Sequence, residues 1–160
     1  MSGTPATQTT TPGSAAIRPF SASLPMALLH ARESAMRLFR PMLAEHDLTE
    51  QQWRVLRALA ATSSPLEVGE IAEATFLLGP SLTRILANLA DRGLVDRQPV
   101  AEDARRAAIS LTASGLELVS QVAPHSERIY AEIEAAFGAG ELGDLITRLN
   151  DLRTDLGALE

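Results

Sequence analysis

Apolar and small side chains repeat at helical spacing over two short stretches near the middle of the chain. The spacing i, i+3, i+4 and i+7 runs from Val68 to Thr75 and again over residues 82–89, and each set falls on one face of an α-helix. Pro80 suits the first turn of the second helix because its missing N–H would be unpaired there. Gly93 can end that helix in the left-handed conformation. The pattern therefore predicts two short amphipathic helices joined by a tight turn.

A hairpin is predicted directly after these helices. Residues 95–98 and 107–111 are expected to form two strands, and the loop between them, 99–106, is too long for a two-residue turn. That loop ends in Arg105 and Arg106, whose guanidinium groups can reach into a narrow, electronegative minor groove of DNA. The order over residues 66–112 therefore indicates a winged helix-turn-helix, although ordinary core packing could produce the same pattern.

The outward face of the second short helix is polar and basic. Small hydroxyl and amide side chains beside one guanidinium group are suited to reading base edges in a major groove. We therefore expect four residues of this helix to contact bases or backbone, with Arg105 and Arg106 in the flanking minor groove. The four are Ser81, Thr83, Arg84 and Asn88.

Longer helices are predicted on both sides of the winged unit. The first covers about residues 24–46, and Pro41 is expected to kink or interrupt it. A shorter helix follows residues 49–52, which fit a capping box. Thr112 can cap a long helix over residues 113–137. The fold class is therefore mainly α.

The last helix has the clearest periodicity. Its leucines are spaced alternately by three and four residues, as in the a/d seam of a coiled coil. The seam could be a core helix of one subunit, but a chain with a separate DNA-binding unit has little else for it to cover. We predict that the helices of residues 18–47 and 113–160 form a dimerisation domain. The leucines are Leu142, Leu145, Leu149, Leu152, Leu156 and Leu159.

The net charge of −6 is unusual for a DNA-binding protein, but it is unevenly distributed. Residues 1–60 carry +2, residues 61–110 carry −2 and residues 111–160 carry −6. A basic patch can exist on an acidic protein, because the distribution of charge sets the local field. All 14 basic residues are Arg, which makes planar, bidentate contacts with phosphate, guanine or carboxylate.

Composition also bounds the cellular setting. Residues 1–17 are rich in Thr, Ser, Gly and Pro and are predicted to be a disordered tail, whereas residues 18–160 are expected to form a single domain. No run of 18 apolar residues and no signal-peptide pattern occurs, so no membrane segment is expected. The chain has no cysteine, which excludes disulfides and fits a cytoplasmic protein.

Two stretches of the sequence resemble a known family. The motif Asp103-x-Arg105-Arg106 followed by Leu111-Thr112-x-x-Gly115 resembles the wing of the MarR family of bacterial winged helix-turn-helix transcription regulators. Residues 18–59, RPFSASLPMALLHARESAMRLFRPMLAEHDLTEQQWRVLRAL, are similar to the subgroup that regulates homoprotocatechuate (4-hydroxyphenylacetate) degradation. The resemblance implies a dimer and covers the chain from about Arg18 onward.

The resemblance also implies a ligand, because such regulators bind small aromatic acids between the dimerisation helices and the DNA-binding lobe. Arg32, expected at the edge of the first apolar stripe and partly buried, would hold the carboxylate. His30 or Ser23 would hydrogen-bond a phenol hydroxyl, and Trp53 would either cover the ring or serve as a core residue. The subgroup usually has Arg where His30 stands here. The candidate ligand-binding residues are Arg18, Ser23, His30, Arg32 and Trp53.

The sequence thus predicts a homodimeric repressor of aromatic-compound catabolism genes, bound to a near-palindromic DNA operator and released from it by a small aromatic carboxylic acid. The alternative is a winged-helix module for protein interaction or dimerisation, without sequence-specific DNA binding. The acidic surface favours that alternative, and the Arg-bearing helix face disfavours it.

An enzyme is disfavoured by the motif content and length of the chain. The sequence has no cysteine nucleophile, phosphate-cradling loop or GxSxG motif, and 160 residues leave little room for a catalytic domain. The three histidines, His30, His46 and His125, do not stand at metal-ligand spacing. We therefore expect no metal and no cofactor.

Overall fold

The computed structural model describes residues 17–100 and 103–159, with the side chains of Val100 and of residues 103–105 outside the description. Within that part of the chain, six α-helices accompany one small antiparallel sheet. The mainly α winged helix-turn-helix architecture expected from the sequence is confirmed. Apart from Ile17, the predicted tail of residues 1–17 lies outside the described residues.

The helices and strands follow the predicted order with two additions, a 3-10 helix near the start and a short strand before α3. A short 3-10 helix at Phe20–Ala22 precedes the first α-helix. The helices are α1 Leu24–Glu45, α2 Glu50–Ala60, α3 Val68–Thr75, α4 Gly79–Asp91, α5 Ala113–Phe137 and α6 Ala139–Gly157. The strands are β1 Leu66–Glu67, β2 Val95–Val100 and β3 Asp103–Leu111.

The chain divides into two compact units, with the boundary inside α1 between Ala35 and Met36. The first unit contains the 3-10 helix and the beginning of α1, and its Leu24, Leu28 and Leu29 side chains are exposed. The second unit contains the remaining elements and the hydrophobic core.

The core of the second unit combines the amphipathic helix faces with the sheet. The predicted apolar positions of α3 and α4 are buried there, together with residues of α2, β3 and α5. The largest side chains without solvent exposure include Leu43, Leu56, Ile71, Leu82, Leu89 and Ile109. Burial of these faces fixes which side of α4 is left outward, and that side carries the polar candidates.

Helix ends follow the predicted local chemistry. The Oγ1 of Thr49 accepts from the backbone N–H of Gln52 at 3.2 Å, and Gln52 Oε1 accepts from the backbone N–H of Thr49 at 2.9 Å. This reciprocal pair is the capping box expected at the start of α2. Gly93 follows α4 with φ of +68°, and the Leu94 N–H donates to the Leu89 carbonyl oxygen at 2.9 Å. Gly at this position ends the helix without a steric penalty.

Of the two effects expected of Pro41, a kink or an interruption of the first long helix, the interruption does not occur. Pro41 lies inside α1, and Pro124 lies inside α5 in the same way. Proline removes one intrahelical hydrogen bond at each position, yet both helices continue through it.

The wing differs from the prediction in its strand boundaries. A third strand, β1, pairs with β3 through Leu66 opposite Ile109, so the sheet has the order β1-β3-β2. The hairpin strands also extend into the predicted loop, and Arg105 and Arg106 lie on β3 rather than in the loop. The register shifts between Pro99, opposite Ala107, and Val100. Proline has no N–H to donate to the neighbouring strand and is tolerated at such an irregularity. Because the register shifts there, the alternation of apolar and polar side chains does not continue through Pro99, and the sequence pattern did not predict the longer strands.

Candidate nucleic-acid interface and ligand-binding residues

The four polar candidates of the winged unit lie along α4. Thr83, Arg84 and Asn88 are exposed, and Ser81 is half-buried near the start of the helix. The Thr83 hydroxyl donates to the Gly79 carbonyl oxygen at 3.0 Å, which fixes its proton and leaves its oxygen able to accept. The Asn88 Oδ1 accepts from the Gln52 side chain at 2.7 Å, which leaves the amide N–H groups of Asn88 available as donors.

A cleft of about 490 Å³ runs along one flank of α4, between this helix and the start of α2. Ser81, Arg84 and Asn88 share it with the turn between α3 and α4. Sequence reasoning missed the apolar part of this cleft. Its residues are Thr49, Gln51, Gln52, Phe76, Leu77, Leu78, Ser81, Arg84, Ile85 and Asn88.

A second cleft, of about 300 Å³, lies on the other flank of α4 toward the sheet. It places Thr83 in the same surface depression as Arg97 and Arg106. Arg97, which is exposed on β2, was not among the predicted site residues. Arg97 lies within the predicted strand 95–98, but the position of that strand beside α4 is a tertiary relationship that the sequence pattern does not show.

Arg106 forms an ion pair that the sequence did not indicate. Its Nε donates to Oε2 of Glu67 at 2.8 Å, and its Nη2 donates to Oε1 of the same carboxylate at 2.5 Å. Glu67 also accepts from the backbone at the start of α3 in a second capping box. The prediction that Arg106 lies in the hairpin loop is wrong, because Arg106 lies on β3. The side chain of Arg105 lies outside the described residues.

This pairing changes the electrostatics of the candidate interface. The carboxylate of Glu67 offsets the charge of Arg106, so the positive potential beside α4 depends more on Arg84 and Arg97. Both are exposed, on α4 and β2 respectively. Two guanidinium groups so placed can contact phosphate or guanine as bidentate donors.

Four of the predicted ligand-binding residues belong to the first unit. Arg18 and His30 are exposed, and Ser23 is half-buried directly before α1. Arg32 is also exposed, with 44% of its side chain accessible, and donates to Glu33 at 2.5 Å. The expectation that Arg32 is partly buried is therefore wrong, and its carboxylate partner is a neighbouring side chain on the same helix.

Trp53 belongs to the second unit and is 8% exposed. It is part of the hydrophobic core, in agreement with the alternative role considered for it. One edge of the side chain also lines a cleft of about 240 Å³ with Arg57, Ser126 and Glu127, between α2 and α5. Arg57 follows Trp53 by four residues, so the two share one face of α2, and Arg57 was not among the predicted site residues.

Two of the three histidines meet despite their separation in the sequence. The Nε2 of His46 lies 3.3 Å from the Nδ1 of His125, where the end of α1 meets α5. Over residues 17–100 and 103–159, no group of three or more His, Cys, Asp or Glu side chains could hold a metal ion.

The leucine seam of α6 is largely uncovered within one chain. Leu145, Leu149 and Leu156 are exposed, whereas Leu142 and Leu152 are half-buried. An apolar stripe of this length on a helix surface is typical of an association surface.

None of the helices in the described part of the chain is long and apolar enough to cross a membrane.

Known proteins are similar to this chain over most of its length. A sequence profile described as MarR family matches residues 46–106. The homoprotocatechuate degradative operon repressor of Escherichia coli is 42% identical over 129 residues, which are 81% of this chain and 86% of that protein. The family resemblance inferred from the sequence is therefore confirmed.

Two solved structures extend the similarity to the fold. The transcriptional regulator PA4135 matches with a TM-score of 0.80 and 39% identity, over 86% of this chain and 98% of that one. NadR in complex with 4-hydroxyphenylacetate matches with a TM-score of 0.74 and 34% identity, over 91% of this chain and 99% of that one.

Proposed function

We propose that this chain, which belongs to the MarR family of transcription regulators, is a homodimeric repressor of aromatic-compound catabolism genes. In this proposal a small aromatic carboxylic acid releases it from a near-palindromic operator. The observation that carries the DNA-binding role is the outward face of α4, where Arg84 and Asn88 are exposed between two open clefts. As a DNA-binding transcription regulator, it would act in the cytoplasm, where its operator DNA lies.

The proposed complex places α4 in the major groove. Ser81, Thr83 and Arg84 would meet base edges, and Asn88 would donate to a base or a phosphate. A two-fold dimer would place its two recognition helices in half-sites about 34–36 Å apart, one helical turn of DNA. The two-fold symmetry of such a dimer is the reason that a near-palindromic operator is expected.

The wing would contact the flanking minor groove through Arg105 and Arg106. For Arg106 this requires that a DNA phosphate or base edge replaces the carboxylate of Glu67, with which it is paired at 2.5 and 2.8 Å. Arg97 would add a phosphate contact from β2, because it shares the cleft of Arg106 and Thr83.

Dimerisation is supported by uncovered apolar surface on the helices that flank the winged unit. The exposed leucines of α6 lie at a/d spacing, and Leu24, Leu28 and Leu29 of α1 are also exposed. Covering such side chains in a second copy removes apolar area from water, which is the main driving force for association.

The proposed effector is an aromatic acid with a phenol group. Two of the relatives are named for homoprotocatechuate degradation and for a complex with 4-hydroxyphenylacetate. Arg32 would exchange Glu33 for the ligand carboxylate, His30 or Ser23 would hydrogen-bond the phenol, and Arg18 would add positive charge. Trp53 would contact the ring through the edge that faces its cleft.

Release requires that the ligand binds a DNA-incompetent form more tightly than the DNA-competent form. A complete reversal, from 1:99 to 99:1, needs about 5.5 kcal/mol of differential affinity. In the proposed mechanism the ligand-bound dimer holds its two α4 helices at a spacing that no longer matches successive major grooves.

The alternative function is a protein-interaction module without sequence-specific DNA binding. The charge of −6 over residues 111–160 favours it, because acidic helices repel the phosphate backbone. The two functions differ in salt dependence, since binding to duplex DNA weakens steeply as salt displaces the protein from phosphates.

The decisive experiment is fluorescence anisotropy with the DNA upstream of this gene, with and without hydroxyphenylacetates, protocatechuates and cinnamates. Salt-sensitive binding that one phenolic acid reverses would support the repressor and identify its effector class. Binding that no acid reverses would retain the DNA-binding role and remove the proposed ligand residues. No binding at low salt would favour the protein-interaction module.

A further inference from the structure

Two large apolar side chains stand in water at the turn that precedes the recognition helix. Phe76 is 76% exposed and Leu78 is 78% exposed. Leu77 between them is half-buried and packs against the core. An exposed Phe and an exposed Leu two residues apart leave apolar area in water that a partner could cover.

The backbone of the turn holds these side chains in a defined conformation. Phe76 ends α3 in the left-handed region, with φ of +53°, which is uncommon for a bulky residue. Leu78 occupies the N-cap position of α4, where no side-chain hydrogen bond caps the helix. Ser, Thr, Asp or Asn is normally favoured at that position. The apolar side chain of Leu78 therefore does not serve to cap the helix.

The surroundings of Phe76 and Leu78 indicate which partner they fit. Both line the cleft that contains Ser81, Arg84 and Asn88, which are the candidate base-contacting residues. In helix-turn-helix proteins the first residues of the recognition helix are those that reach the base edges. A protein partner seated on this turn would occupy the same surface as the DNA.

The major groove offers one apolar group among its polar base edges, the C5-methyl group of thymine. We propose that Phe76 and Leu78 form an apolar contact with thymine methyl groups in each operator half-site, and so act as specificity-determining residues beside Arg84. This inference rests on the proposed DNA-binding function, and it adds recognition of thymine to the guanine contact proposed for Arg84.

Deoxyuridine provides the direct test, because it pairs like thymidine and lacks only the C5-methyl group. Binding of the full-length protein is measured by anisotropy on operators with one thymine at a time replaced by uracil. Loss of one buried methyl group should weaken binding about fourfold, at one or two positions in each half-site. The Phe76→Ser and Leu78→Ser variants should bind the thymine operator more weakly and show no further loss on the matching uracil operator.

Ile17→Ser is the control, because Ile17 is an exposed apolar residue, 91% accessible, outside both the cleft and the segments predicted to form the dimerisation domain. It should retain both the affinity and the uracil sensitivity of the unchanged protein. Circular dichroism melting of each variant verifies folding.

Three outcomes would overturn the inference. Uracil at every position could leave binding unchanged while Arg84→Ala still abolishes operator preference, in which case the DNA-binding function stands without methyl contacts. The serine variants could lose the same factor on thymine and uracil operators, which would place their effect elsewhere. A failure of the unchanged protein to prefer any operator would remove the proposed function and this inference together.

Discussion

Gln52 of α2 donates from its Nε2 to the Oδ1 of Asn88 on the recognition helix at 2.7 Å. The same Gln52 closes the capping box of α2 by accepting from the backbone N–H of Thr49. One side chain therefore both starts α2 and orients a candidate DNA-contacting amide. Because Gln52 occupies the amide oxygen of Asn88, the N–H groups of Asn88 are the ones left to donate to DNA in the proposed complex.

Asn88→Asp should separate the hydrogen bond that Asn88 accepts from Gln52 from the contact that Asn88 is proposed to make with DNA. The carboxylate still accepts from Gln52, so thermal stability should change little, but it has no N–H to donate and it repels phosphate. We expect operator affinity to fall by about 1–3 kcal/mol, measured by anisotropy. Gln52→Ala is the control, with a loss of about 1 kcal/mol in stability from the broken cap and a smaller loss in affinity. Unchanged affinity in Asn88→Asp would exclude Asn88 from the interface.

Arg84→Ala should lose operator specificity. If Arg84 makes a bidentate contact with guanine, the variant should lose about 1–3 kcal/mol on the operator and much less on scrambled DNA. Arg84→Lys keeps the charge but not the planar fork, so it should retain non-specific affinity and still lose discrimination. Competition titrations at two salt concentrations measure both quantities. Full discrimination by either variant would contradict the assignment.

Arg32→Ala should leave DNA binding intact and abolish release by the effector. Its guanidinium is the proposed carboxylate ligand, and it is remote in sequence from the winged unit. Arg37→Ala removes an equally exposed charge from the same helix and should release normally. The measurement is the effector concentration that displaces half of the bound operator. Normal release by Arg32→Ala would remove Arg32 from the ligand site.

Local chemistry explains what the sequence predicted well. The capping box at Thr49 and the left-handed Gly93 depend on contacts within a few residues, so their residue types indicate them directly. The buried faces of α3 and α4 follow from a periodicity that is visible over eight residues. Family resemblance favoured a DNA-binding role for the winged unit, which pattern alone left open against ordinary core packing.

Long-range relationships explain what it missed. The strand β1 is two residues long, too short for any alternation to appear, and it forms because Leu66 pairs with Ile109 on β3. The Glu67–Arg106 ion pair joins residues 39 positions apart. The exposure of Phe76 and Leu78 depends on the backbone conformation of the turn between α3 and α4. None of these has a local signature, so the sequence predicts which residues share one face of a helix but not which residues of separate elements meet.

Gly115 of the wing motif should be intolerant of any side chain. A Cβ atom at this position would lie 2.0 Å from the Leu94 carbonyl oxygen, because α5 begins against the end of α4 and β2. We expect Gly115→Ala to lose at least about 1–3 kcal/mol of stability through overpacking. Gly143→Ala in α6 meets no atom within 4 Å and should stabilise by about 0.5–1 kcal/mol. Chemical denaturation checks both, and equal stability of the two variants would contradict this account of the motif.

The ion pair between Glu67 and Arg106 should affect operator binding more than it affects the stability of the fold. Their pair is partly exposed, with 32% and 54% of the side chains accessible, so removing it should cost only about 0–1 kcal/mol of stability. The effect of this ion pair on DNA binding should exceed its effect on stability, because Glu67 pairs with the guanidinium of Arg106 that the proposed complex uses to contact DNA. Glu67→Gln should tighten operator binding, because Arg106 then reaches the DNA without first breaking an ion pair. Arg106→Gln should weaken binding and flatten the slope of log K against log salt by about one, the value for one lost phosphate contact, and the double variant should behave like Arg106→Gln. If Glu67→Gln leaves affinity unchanged and Arg106→Gln leaves both affinity and slope unchanged, the ion pair ties β1 to β3 as a structural element only, and Arg106 has no part in DNA binding.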